Sequence, residues 1–90
     1  MKKFIIERKI PGAGNMTAEE LQAVSKISVG VISILGKPYK WIQSFITEDS
    51  IYCIHEAECE DDIREHAECG NLPIHTIEEI KVVISPATAC

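Results

Sequence analysis

Ninety residues, 46% of them hydrophobic and 26% charged, describe a single ordinary globular domain, 1–90, that buries roughly 60–65% of the surface its unfolded chain exposes. The net charge of −5 speaks against nucleic acid and anionic membrane as partners, since both are bound through an excess of Lys and Arg, and it is compatible with metal cations. No apolar run approaches the roughly 18 residues a membrane span needs; the longest, Ile27–Leu35, is interrupted by Ser28, Gly30 and Ser33.

Lys3–Ile10 alternates as a strand, with Phe4, Ile6, Arg8 and Ile10 on one face and Ile5, Glu7 and Lys9 on the other. Pro11–Asn15 breaks it with a glycine-bearing turn that could also cradle an anion on backbone amides. Thr17 and Glu20 then form a capping box, predicting a helix to Leu35 whose inner stripe is Leu21, Val24, Ser28, Val31 and Leu35. The β-branched second half of this segment favours a strand by itself, but the cap before it and Gly36 with Pro38 after it bound a helix.

Tyr39–Thr47 reads as a strand with Trp41, Gln43 and Phe45 facing opposite to Ile42, Ser44 and Ile46. Glu48–Ser50 is a turn, and Ile51–Glu58 returns as its hairpin partner, placing Ile51, Cys53, His55 and Ala57 on one face and Tyr52, Ile54 and Glu56 on the other. Glu60, Asp61 and Asp62 put three carboxylates at a helix start, where the macrodipole favours them, and Ile63, His66, Ala67 and Gly70 mark that helix's inner stripe. After the loop Asn71–Pro73, Ile77–Ile84 is predicted as the last strand, with residues 85–90 a C-terminal tail.

The order strand, helix, strand, strand, helix, strand, with right-handed crossovers, is the ferredoxin-like βαββαβ arrangement: an α+β fold with a four-stranded antiparallel sheet and both helices on one face. The other sheet face carries apolar side chains such as Ile5, so a homodimer through that open face is expected.

Chemistry concentrates in Ile51–Gly70, which holds three of the four cysteines and two of the three histidines. His66 lies four residues after Asp62 and three before Cys69, so Cys59, Asp62, His66 and Cys69 run along one side of the helix. Imidazole, carboxylate and thiolate are the donors that nickel, zinc and copper choose, and Cys53 and His55 on the neighbouring strand would bring further ones. Glu7, on the adjoining strand, faces either Cys53 and His55 or Tyr52 and Glu56. The plain alternatives are a packed helix histidine for His66, a small core residue for Cys53 and a histidine at the dimer face for His55. His75 and Cys90 have no partner in sequence. The cysteines, with five, nine and twenty residues between them, fit neither a CxxC pair nor a disulfide framework, so reduced thiols in a cytoplasmic protein are expected.

Glu7-Arg8-x-x-Pro11-Gly12-x-Gly14, Trp41-x-x-Ser44-Phe45-x-Thr47-x-Asp49, Tyr52-Cys53, Ile63-Arg64-Glu65-His66-Ala67, Pro73 and Ile84-x-Pro86 together resemble a small bacterial domain family named for a nickel-binding protein, over Phe4 to Thr88. The resemblance implies a ferredoxin-like fold, a cytoplasmic homodimer and a metal-binding protein rather than an enzyme. Carried over by position, Glu7, Arg8, Cys53 and His66 match the family's pattern, with His66 the foremost metal ligand. His55 departs from it, an aromatic such as tyrosine being commoner there, and Cys59 and Cys69 are particular to this chain.

Three functions follow as expectations. The first is a divalent-metal protein, nickel before zinc or copper, that stores, sequesters or senses the ion through His66 with Cys53, His55 or Glu7. The second is a dimeric α/β-barrel-type protein, a small-molecule binder or a cofactor-free oxygenase or isomerase, with a pocket lined by Trp41, Tyr52, His55 and His66. The third is an interaction module whose open sheet face binds a different protein.

Overall fold

The computed structural model describes all 90 residues, Met1–Cys90. Four strands, β1 (Lys2–Lys9), β2 (Tyr39–Ile46), β3 (Ser50–Ala57) and β4 (Thr76–Glu79), form one antiparallel sheet in the order β2-β3-β1-β4. The helices α1 (Ala18–Leu35) and α2 (Glu60–Cys69) cross over between them, giving the expected ferredoxin-like βαββαβ arrangement.

Period-two alternation decides what faces the helices. On β1, Phe4, Ile6 and Arg8 are buried; on β3, Ile51, Cys53, His55 and Ala57 are, and Ile63 of α2 closes over them. Lateral neighbours share that face because β1 and β3 pair Phe4 with His55 and Ile6 with Cys53. Helix α1 starts on the predicted capping box, Glu20 N–H donating to Thr17 Oγ1 (3.1 Å) and Thr17 N–H to Glu20 Oε1 (2.9 Å). It stops at Gly36, whose φ of 62° is the left-handed cap a side chain would strain. Burying Ser28 and Val31 on its sheet side overrides the β-branched preference of its second half.

Two expectations about strands are corrected. Opposite His55 stands Trp41, but opposite Ile54 stands Gln43, so Ile42 is the extra residue of a β-bulge. The alternation resets there: Trp41 shares the helix-facing side with Ser44 and Ile46, and its indole N–H donates to Ser44 Oγ (2.9 Å), while Gln43 and Phe45 face away.

The last strand is shorter than Ile77–Ile84. Its register pairs Phe4 with Glu79, and Ile80 N–H still donates to the Lys3 carbonyl (2.8 Å), after which β1 has almost no residues left to pair. Val82, Val83 and Ile84 therefore overhang the sheet and are exposed, ahead of a short 3-10 turn, Pro86–Ala89.

The glycine turn after β1 is a docking element rather than an anion cradle. Gly12 N–H donates to the Asp49 carboxylate (2.9 Å) and Gly14 N–H to the Glu48 carbonyl (2.9 Å), so the amides an anion would need already hold the β2–β3 turn. A Cβ on Gly14 would lie 3.0 Å from the Glu48 Cα, a backbone atom.

Candidate functional site

Between α1 and the sheet lies a partly open cleft of about 70 Å³, room for several waters, walled mostly by apolar side chains. Its polar lining comes from Arg8 of β1, His55 of β3, Ser25 and Ser28 of α1 and Ser44 of β2; Trp41 and Cys53 also reach it. The sheet places Arg8, Cys53 and His55 there because all three sit on its buried face.

Behind this wall three rings meet. Tyr39 stacks on His66 (centroids 4.7 Å apart, 12° between planes), and His55 stands edge-on to both, 5.2 Å from each. Tyr39 O–H has one partner, Nδ1 of His55, and burial raises the phenol's pKa, so it keeps its proton and donates. The hydrogen of a neutral His55 is then on Nε2, which makes no hydrogen bond within the protein, on a residue that lines the cleft. Neutral it is: burial first, then the neighbouring His66 and Arg8, lower its pKa to about 3.

His66 is likewise held neutral, burial pushing its pKa down ahead of the opposing hydrogen bond to Ser28 and the further lowering by Arg8. Its Nε2 sits 3.2 Å from the Ser28 carbonyl and 3.3 Å from the Ser28 hydroxyl; a carbonyl only accepts, so Nε2 carries the hydrogen. That leaves Nδ1 as a lone pair, the one buried side-chain polar atom without a partner.

Arg8 is 3% exposed, yet no carboxylate lies within ion-pair distance of its guanidinium. One of its five donors reaches the Pro73 carbonyl (3.0 Å), tying the strand to the loop after α2. A buried cation without a counter-charge is costly and unusual.

The sequence-derived ligand set is divided by this geometry. His55 and His66 come together, and Cys53 shares their layer. His55 faces the helices, not the open sheet face where a dimer contact was expected. Glu7 is on the opposite side of the sheet, opposite Tyr52, whose hydroxyl donates to its carboxylate (3.3 Å); alternation settles the choice the sequence left open. Cys59 and Cys69 are exposed at the two ends of α2, so the predicted four-residue stripe does not converge. Nowhere do three His, Cys, Asp or Glu side chains gather closely enough to hold a metal ion. Arg8, Tyr39 and Ser28 were not among the candidates. For Arg8 the signal was present: a guanidinium in the apolar stripe Phe4, Ile6, Ile10.

A family model described as "Nickel responsive protein SCO4226-like" matches residues 4–80, and the chain belongs to that family. The crystal structure of SCO4226 from Streptomyces coelicolor A3(2) superposes with a TM-score of 0.78 at 15% identity, over 91% of this chain and 99% of that one, a likeness of fold. No curated protein matches the sequence.

For nickel, the buried donors fit in kind and fall short in number. His66 has the arrangement of a metal-ligating imidazole, one nitrogen anchored on a backbone carbonyl and the other a free lone pair. One imidazole with a nearby thiol is fewer than the three protein ligands usual even in an open metal site.

Proposed function

We propose that this member of the nickel responsive family binds nickel as a homodimer and stores, sequesters or senses the ion, without turnover. His66 is the first donor and Cys53 the residue that would join it in the same layer; His55 would join only by moving its hydrogen to Nδ1 and donating to Tyr39, and water would complete the shell. Family membership supports the choice of metal. The unpartnered Nδ1 of His66 is the observation that supports the donor, because a buried lone pair without a hydrogen bond is costly unless something occupies it. Nickel would supply only Lewis acidity there; the chain's part is to fix the imidazole through Ser28.

Elemental analysis of protein purified without a metal-loaded column, followed by calorimetric titration with nickel and zinc, tests this reading. Uptake abolished by His66→Ala supports it. Uptake unchanged in that variant removes His66 as the ligand, and no uptake by the parent protein removes the metal.

Arg8 favours a second reading, a small-molecule site in the cleft. Besides the hydroxyls of Ser25, Ser28 and Ser44, the polar groups that line the cleft are the imidazole of His55 and one fixed positive charge, beside Trp41 and aliphatic walls. Of the lining expected from sequence, Trp41 and His55 are there, whereas Tyr52 lies on the other sheet face and His66 behind the wall. Quenching of Trp41, the single tryptophan, by a small ligand in metal-free protein tests it.

A further inference from the structure

We propose that the cleft between α1 and the sheet is a binding site for a small organic monocarboxylate, whose carboxylate pairs with Arg8 and whose apolar body lies against Trp41 and Ile51. The proposal rests on the small-molecule reading of the cleft and names the class of ligand.

Charge decides the sign. Arg8 is fully within the fold, lines the cleft, and has neither a carboxylate partner nor protein acceptors for most of its donors. Removing an ion from water without pairing it is costly, and a bound anion offsets that cost, whereas a cation would add to it. The flat guanidinium fork matches a carboxylate, which can accept two parallel N–H bonds.

Hydrogen-bond direction agrees. Because Tyr39 donates to Nδ1 of His55, the hydrogen of this cleft-lining ring is on Nε2, where no protein group accepts it, leaving a second donor besides the guanidinium. No Asp or Glu lines the cleft to repel an anion. The lining argues against a fully hydrated oxyanion such as phosphate: the hydroxyls of Ser25, Ser28 and Ser44 already bond Leu21, His66 and Trp41, and most of the remaining wall is aliphatic, so its other oxygens would be poorly partnered. A volume of about 70 Å³ with a partly open mouth suits a short or flat body, such as butyrate or benzoate, better than a large cofactor.

The experiment uses full-length protein freed of metal with a chelator, so nickel has no part in the result. Butyrate, benzoate, inorganic phosphate and neutral benzyl alcohol are each titrated at constant ionic strength, following Trp41 fluorescence and heat. Saturable binding of butyrate or benzoate, with phosphate at least tenfold weaker, is the expected result. Arg8→Gln lowers that affinity tenfold or more and Arg8→Lys restores part of it. Should Arg8→Gln fail to fold, Ser25→Phe serves instead: it keeps Arg8 and plugs the cleft, and it must also abolish binding. Benzyl alcohol binding as tightly as benzoate overturns the anion and leaves the cleft a small-molecule site. Phosphate binding as tightly as benzoate overturns the organic class. No saturable signal from any probe overturns this proposal and the small-molecule reading together.

Discussion

Tyr39 joins the two buried histidines of this fold, stacking its ring on His66 while its hydroxyl donates to Nδ1 of His55. Because the strand carrying Tyr39 begins one residue after Pro38, directly behind the turn that ends α1, the same segment that stops the helix also fixes the tautomer of an imidazole on the next strand.

Tyr39→Phe keeps the stack and removes the donor, leaving a buried ring nitrogen without a partner. The variant is expected to lose about 1–3 kcal/mol of stability. Urea unfolding with far-UV circular dichroism measures it, and an unchanged midpoint would mean that the hydroxyl contributes nothing.

Stability should depend on pH through His55. Its folded pKa of about 3 lies below the ordinary 6.5, so between those values the unfolded chain binds the proton and the native one does not. The stabilisation is complete above pH 6.5 and is lost as pH falls toward 3. Between pH 6.5 and 5, before carboxylates titrate appreciably, His55 accounts for a loss of about 2 kcal/mol. His66, also lowered, adds in the same direction. Urea midpoints at the two pH values measure the slope, and His55→Gln should flatten it.

Two glycines should respond to alanine with opposite signs. At Gly14 the new methyl meets Glu48 backbone at 3.0 Å, and Gly14→Ala is expected to destabilise by about 1–3 kcal/mol. Gly30, exposed in the middle of α1 with open space around it, should gain up to about 1 kcal/mol as Gly30→Ala. Thermal unfolding of both variants tests the pair.

The open sheet face predicts a dimer. Ile5 and Ile54 pair at its centre, flanked by Phe45, 51% exposed, and Tyr52. Analytical ultracentrifugation is expected to give twice the mass of one chain, and Ile54→Lys to return it to a monomer that still folds. A monomeric parent protein would leave that face to another partner or to water.

Much of the fold was legible because local rules agree with one another along this chain. The capping box of Thr17 and Glu20, the stop at Gly36 and the alternation of β3 each depend on neighbouring residues, and each lies where the sequence places it. Two errors came from information that neighbours do not carry. The bulge at Ile42 exists only relative to β3, and the early end of β4 only relative to the start of β1, so an apolar run, Val82–Ile84, looks like strand until its partner is counted out.

The sequence by itself determined the element order, the faces of β1 and β3, and the likeness to a nickel-associated family, since side-chain period and motif spacing are properties of the chain read in line. Tertiary structure alone decided that Glu7 stands apart from the histidines, that Tyr39 and Ser28 set their tautomers, and that Arg8 is buried without a counter-charge. Those facts depend on groups up to 65 residues apart meeting across strand pairing and helix packing, where burial and hydrogen-bond direction give each group its chemistry.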